Sequence, residues 1–269
     1  MSEAQGSPGL VVEHDGPVLR LTLDRPDKRN ALDDATVAAL TRRLEEAGDD
    51  EAVRVVHLTG AGEHFCAGFD IVARNAPGGR RPRAGSTQRR LPHQAHRLVP
   101  TLLAVQTPVV CEVRGWAAGI GLHLALASDF AVVANGARLW EPFAERGFTP
   151  DSAGTWLLPR RIGEVRAREM LLLGRALNGS EAAEWGMVHR SVPDGELHHT
   201  VEALLAELAE GPTVTLGLMK WLLLTGSSSD VGSQLEREAL ALEVSSRSED
   251  FKEGLAAFSE KRRPRLTGR

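Results

Sequence analysis

Apolar and polar positions mark out elements from the start of the chain. Apolar residues over 10–13 and 18–23 flank Asp15-Gly16, a turn-forming pair, and predict a β-hairpin. The stretch DRPDKRNA, Asp24 to Ala31, breaks the pattern with Pro, Asp and Asn and predicts a charged loop. Beyond it, Val37, Leu40 and Leu44 recur at helical spacing. They predict a helix capped by Asp33 or Asp34 and running to about Ala47. Val53–Thr59, Val109–Val113 and Phe130–Val133 are short apolar runs rich in Val, the mark of buried strands. A Gly- and Ala-rich stretch and a short small-residue helix join the last two, which suggests parallel βαβ-type units. From about Glu164 the pattern becomes helical, over 165–173, 180–184, 194–209, 214–224 and 231–245. A strand over Met187–Val192 interrupts it. The expected architecture is α/β, with a strand-rich front half, a helical back half and no linker between them.

Composition narrows the function classes. The chain has 269 residues, enough for a substantial core. Its formal net charge of -4 argues against a nucleic-acid binder that works through overall basic charge. Two cysteines, Cys66 and Cys111, are too few for a disulfide framework or a Cys-rich zinc site, and no metal site is expected. There is no Tyr, so no mechanism can use a phenol. The N-terminal segment MSEAQGSPG lacks a basic and apolar leader pattern, and the apolar runs are too short to span a bilayer. A cytoplasmic protein without a membrane partner is expected. One segment departs from the balance: Arg74 to Arg97 holds seven Arg and no acidic residue. It is expected to be a solvated loop or a flap over an anion.

Two Gly-containing segments follow strands. Gly119-x-Gly121 lacks the third Gly of a dinucleotide fingerprint, because Leu124 stands there. Such a stretch can instead open a helix whose first N–H groups bind a developing oxyanion. Ala67-Gly68-Phe69 is similarly open. Together the two segments could aim two backbone N–H groups at one carbonyl oxygen.

The motifs RPDKRNAL, GAGEHFCAGFDI, RGWAAGIGLHLALASDF, TPDSAGTWLLPRRIG, EAAEWGMVHRSV and SEDFKEGLAAFSEKRRPRLTG follow in this order. In sequence and spacing the chain resembles the crotonase, or enoyl-CoA hydratase/isomerase, superfamily from about residue 9 to 268. It is most similar to the epoxyphenylacetyl-CoA isomerase and enoyl-CoA isomerase subgroup. The resemblance implies an α/β fold, a crotonase-like spiral of ββα units (1–195) with a helical C-terminal trimerisation region (196–269). It implies a homotrimer or a pair of trimers. It also implies an acyl-CoA substrate, with coenzyme A entering as part of the thioester and no separate cofactor. Backbone N–H groups of Phe69 and Ile120 would form the oxyanion hole. Lys28, Arg29, Ala31, Ala67, Asp70, Ile71, Phe258 and Lys261 would contact CoA, the last two from the final helix and in some relatives across a subunit boundary. Trp140, Phe143 and Phe148 would line the acyl pocket.

The family's hydratases carry a glutamate at each of two positions, occupied here by His123 and Phe143. Asp151 matches the aspartate of the isomerase subgroup and is the expected base, walled by Phe143, Phe148 and Trp156. It also stands where a helix N-cap would. His123 and Glu141 are alternative acids or bases. His96 matches a histidine of dehalogenase relatives, which opens a second route in which Asp151 is a nucleophile and water releases the acyl group. Hydration with an altered acid/base pair and acyl-CoA binding without turnover are the remaining alternatives.

Overall fold

The computed structural model describes residues 8–71 and 83–269. A six-stranded sheet contains β1 (Leu10–Asp15), β2 (Val18–Leu23), β3 (Val55–Gly60), β4 (Val109–Val113), β6 (Phe130–Ala134) and β9 (Arg190–Val192), side by side in that order. The hairpin forms as expected. β1 pairs antiparallel with β2, and every other pair in this sheet is parallel. Gly16 at the turn has φ 57°, which suits a residue without a side chain. A second sheet joins β5 (Trp116–Ala118), β7 (Arg138–Trp140) and β8 (Leu177–Asn178).

Helix α1 (Asp34–Asp49) is capped by Asp33, whose carboxylate accepts from the Thr36 N–H at 2.8 Å. Its Val37, Leu40 and Leu44 are buried. Then come α2 (Ser86–Arg90), α3 (Leu98–Ala104) and α4 (Ile120–Ala127). All eight residues of α4 are buried, because β4, β5, β6 and α3 surround it together with α5 (Gly154–Leu173). Two more helices, α6 (Gly179–Glu184) and α7 (Leu197–Ala209), follow. α7 buries Leu197, Val201 and Leu205 against β3, β4 and β6, so its packing joins it to the core. The last three helices are α8 (Thr213–Gly226), α9 (Val231–Ser245) and α10 (Glu249–Glu260). They leave Met219, Leu223, Leu235, Leu240 and Phe258 exposed.

The structure departs from the sequence pattern in four places, one of them the strand expected over Met187–Val192, which spans only Arg190–Val192. Of the Arg-rich segment, residues 72–82 lie outside the described residues. Residues 83–97 are not a plain loop, because α2 and two single-turn helices (Leu91–His93 and Ala95–Arg97) bury Leu91 and Ala95. Helix α5 starts at Gly154 rather than near Glu164. Gly163, at φ 75°, breaks it in the middle, so the helical pattern restarts where the expected helix began. β5, β7 and β8 are two or three residues long, too short to show a period. Among the described residues, no helix is long and apolar enough to cross a membrane.

Candidate active site

Residues 66–70 run between two other segments and are hydrogen-bonded to both. On one side, the Ala67 N–H donates to Arg29 O (3.0 Å), Leu32 N–H to Gly68 O (2.8 Å) and Asp70 N–H to Leu32 O (2.8 Å). On the other, Cys66 N–H donates to Trp116 O (2.9 Å) and Ala118 N–H to Cys66 O (3.0 Å). Gly68 has φ 103°, and a Cβ there would lie 3.1 Å from Ala118 O. A Cβ on Gly121 would lie 2.5 Å from Cys66 O. These two contacts need glycine and press the start of α4 onto the segment that carries Phe69.

Ile120 is the first residue of α4, so its N–H has no acceptor within the helix. Gly119 before it has φ 52° and donates its N–H to Trp140 O at 3.0 Å. A Cβ on Gly119 would meet the Phe143 ring at 3.5 Å. Phe69 and Ile120, expected as partners, therefore lie on segments that the fold packs together. Burial pushes the Cys66 thiol up to about 12, which keeps it protonated and inert as a nucleophile.

Behind the helix start lies a chain of buried polar groups. His123 is 0% exposed. Its Nε2 lies 2.8 Å from Glu141 Oε1 and its Nδ1 2.7 Å from Ser152 Oγ. Glu141 is 0% exposed and Ser152 3%. Phe143 stacks on the His123 ring at 6.1 Å between centroids and meets Phe148 edge-on at 5.3 Å. His123 and Glu141 are thus fully buried and hydrogen-bonded to each other.

Asp151 is half-buried in the turn ahead of α5. The apolar wall expected around it is incomplete in the single chain: Phe143 is buried, but Phe148 and Trp156 stand partly in solvent. Trp156 is covered on one face by the Arg160 guanidinium, 4.0 Å from the ring centre. The Trp140 ring is held by a hydrogen bond from Nε1 to Gly174 O (3.0 Å) and lies against Trp116. The side chain nearest Gly119 is that of Phe143, whereas Trp140 meets Gly119 through its backbone carbonyl. His96 is exposed and shares no hydrogen bond or ion pair with Asp151 among the described residues.

The loop expected to meet CoA is tightly organised. Asp70 accepts from Arg25 Nη2 (2.9 Å) and Lys28 Nζ (3.3 Å). Arg29 and Asn30 adopt left-handed conformations, at φ 51° and 56°. The buried Asn30 side chain accepts from the Arg25 N–H and donates to Ala61 O and His64 O. Lys28, Arg29, Ala31, Ala67 and Asp70 thus share one corner, and Ile71 follows directly. Phe258, 85% exposed, and Lys261, the left-handed cap of α10, lie at the far end of the chain. Among the described residues, no hydrogen bond or ion pair carries them to that corner. Sequence reading missed Arg25 and Ser152, and it placed Asn30 in the Lys28–Ala31 loop without its role in holding that loop. For that role the signal was an Asn in a charged loop, a residue suited to left-handed turns. Ser152 carried none beyond its small size.

Comparison with known proteins places the chain in a family. The family model described as enoyl-CoA hydratase/isomerase matches residues 13–269. The chain is 39% identical to the 1,2-epoxyphenylacetyl-CoA isomerase of Escherichia coli K12 over 253 residues, 94% of this chain and 95% of that protein. It is 36% identical to a probable enoyl-CoA hydratase of Rhodobacter capsulatus, over 93% of this chain and 94% of that one. It is 34% identical to the carnitinyl-CoA dehydratase of Salmonella typhi, over 98% and 100%. Among solved structures, an enoyl-CoA hydratase from Bacillus anthracis superposes with a TM-score of 0.89 at 30% identity, over 97% of this chain and 100% of that one.

Proposed function

Because the chain belongs to the enoyl-CoA hydratase/isomerase family, we propose that it is an acyl-CoA isomerase. It shifts a double bond, or rearranges an enoyl or epoxy acyl group, through an enolate. The observation that carries this reading is the contrast between His123 and Asp151. The hydratase glutamate positions hold a buried His123 and a buried Phe143, whereas Asp151, next in sequence to the Ser152 that bonds His123, stays half-buried. A phenylalanine ring has no proton to transfer, and His123 has both ring nitrogens engaged. Hydration needs two groups to handle water, while isomerisation needs one base.

In the proposed reaction the thioester oxygen sits against the N–H groups of Phe69 and Ile120. Asp151 removes a proton from the carbon next to the carbonyl, and the electron pair moves into an enolate whose charge the two N–H groups hold. Asp151 then returns the proton two carbons further along the chain. Each backbone donor of this kind typically stabilises such an anion by about 3–4 kcal/mol. CoA lies along Lys28, Arg29, Ala31, Ala67, Asp70 and Ile71, with Phe258 and Lys261 reaching a CoA from a neighbouring protomer. The exposed apolar face of the last three helices suits that assembly into a trimer or paired trimers. The acyl pocket takes Phe143, Phe148 and Trp140.

An isomerase assay on 3-enoyl-CoA tests this reading. Asp151→Asn is expected to lower kcat by about 10²–10⁴-fold. Undiminished turnover would overturn the assignment. So would a product heavier by one water, which would make the protein a hydratase.

A further inference from the structure

We propose that His123 is a positioning residue, the middle of a buried Glu141–His123–Ser152 strut that fixes the distance between the Asp151 carboxylate and the Ile120 N–H. This rests on the reading above that Asp151 is the base and Ile120 an oxyanion donor.

The strut joins three segments that are far apart in sequence. His123 lies one turn along α4 from Ile120, so the two move as one rigid unit. Ser152 follows Asp151 directly. Glu141 follows Trp140, whose carbonyl accepts the Gly119 N–H at 3.0 Å. A hydrogen-bond chain with links of 2.8 and 2.7 Å therefore ties the oxyanion helix to the turn that carries the base.

The direction of each bond follows from its chemistry. A carboxylate only accepts, so the His123 ring carries its proton on Nε2 and donates to Glu141. We assign the ring as neutral, so that Nδ1 accepts the Ser152 hydroxyl proton. Ser152 is thereby held inward, which anchors the backbone that carries Asp151, the preceding residue.

The backbone around the strut is shaped for it. Ala153 sits at φ 70°, a left-handed conformation that costs energy for a residue with a Cβ and persists where the surroundings impose it. Gly154 lies against the imidazole so closely that a Cβ would come within 2.3 Å of Nε2 and 3.3 Å of Glu141 Oε1. The Phe143 ring lies nearly parallel to the His123 ring, and the strut is buried from solvent, which strengthens hydrogen bonds within it.

Glu141 supplies the last argument. Its Oε2 is buried with no hydrogen-bond partner. An orphan carboxylate oxygen in a dry interior is destabilising, and an apolar side chain would fill the space better. Its Oε1 makes one of the two bonds that fix the His123 ring, the other being to Ser152. Base and hole must be held to well within an ångström, since a displacement of about 1 Å can lower a rate by about 10²-fold.

The test compares Ser152→Ala, His123→Leu, His123→Gln and Asp151→Asn in steady-state kinetics on a 3-enoyl-CoA. Melting temperatures of each variant and nitrogen NMR of histidine-labelled protein accompany it. Asp151→Asn is expected to lose about 10²–10⁴-fold in kcat. Ser152→Ala and His123→Leu should lower kcat by about 10–100-fold with KM within about threefold. His123→Gln should recover most of that loss, because its amide offers one donor to Glu141 and one acceptor to Ser152. The NMR spectrum should show the His123 ring proton on Nε2. Ser152→Ala removes a single oxygen and is the variant that keeps the fold if His123→Leu does not. Full activity in Ser152→Ala alongside that loss in Asp151→Asn would overturn the strut and leave the isomerase reading standing. A ring proton on Nδ1, or a loss in His123→Gln equal to that in His123→Leu, would also overturn the strut. Undiminished turnover in Asp151→Asn would instead overturn the isomerase reading beneath it.

Discussion

Helices α4, IGLHLALA, and α8, TVTLGLMKWLLLTG, carry similar loads of Leu and Gly, and their fates differ. Every residue of α4 is buried, whereas in α8 only Gly217 is. α4 is enclosed by strands and by α3 and α5, while α8 packs on α9 and α3 and turns Met219 and Leu223 outward. Apolar content alone therefore does not decide what is sealed; the neighbours do. The sealed helix holds the N–H proposed for oxyanion binding, and the bare one presents a surface suited to another protein surface.

The sharpest way to break this comparison is to truncate leucine in each helix. Leu122→Ala, in α4, should lower unfolding free energy by about 2–5 kcal/mol in denaturant titration. A loss below about 1 kcal/mol would mean that α4 is not the packed centre of the domain. Next in size is Gly121→Ala. Its methyl group would enter the space held by Cys66 O, 2.5 Å away, and should cost about 1–3 kcal/mol. It should also lower kcat more than KM, because the hole opens as the two segments part.

A third test concerns charge within the sealed half. Burial alone would raise the Glu112 carboxyl, but His57 and the Arg114 guanidinium bring it down to about 2. His57 Nε2 lies 3.2 Å from Glu112 Oε2, within ion-pair reach though not aligned as a hydrogen bond. The folded value lies below the unfolded one, so Glu112 favours folding fully above about pH 4.5, its ordinary value. That contribution fades as the pH falls toward about 2. The melting temperature should drop through this window, and Glu112→Gln should flatten the drop. An equally steep fall in the variant would remove Glu112 as its source. The smallest effect is expected for Leu223→Ala in α8. For a dilute single chain it should change stability by no more than about 0.5 kcal/mol. A larger loss that grows with protein concentration would show the bare face to be covered in solution.

Much of this fold was legible in the sequence because it is written locally. The Asp33 cap, the Val37–Leu40–Leu44 stripe and the Asp15-Gly16 turn each rest on residues within a few positions of one another. The break in α5 was half legible, since the helical period resumes after Gly163. The site was legible where the backbone needs small residues, at Gly68, Gly119 and Gly121. It was not legible where partners meet over distance. Nothing near Ser152 in sequence announces His123, 29 positions away, and nothing near Asp70 announces Arg25, 45 positions away. β5, β7 and β8 escaped notice because two or three residues carry no period.

Residues 66–70 are hydrogen-bonded to 29–32 on one flank and to 116–118 on the other. Such a segment cannot fray on its own. Releasing it means breaking contacts at three distant points of the chain at once, so its motions are coupled to those of the sheet. In hydrogen–deuterium exchange, the amides of Leu32, Asp70 and Ala118 should exchange together and at the rate of the slowest strand residues. In the reaction proposed above, the segment offering the Phe69 N–H would already have its shape when substrate arrives. The parts left to adapt are those nearer the solvent, around Phe148 and Trp156.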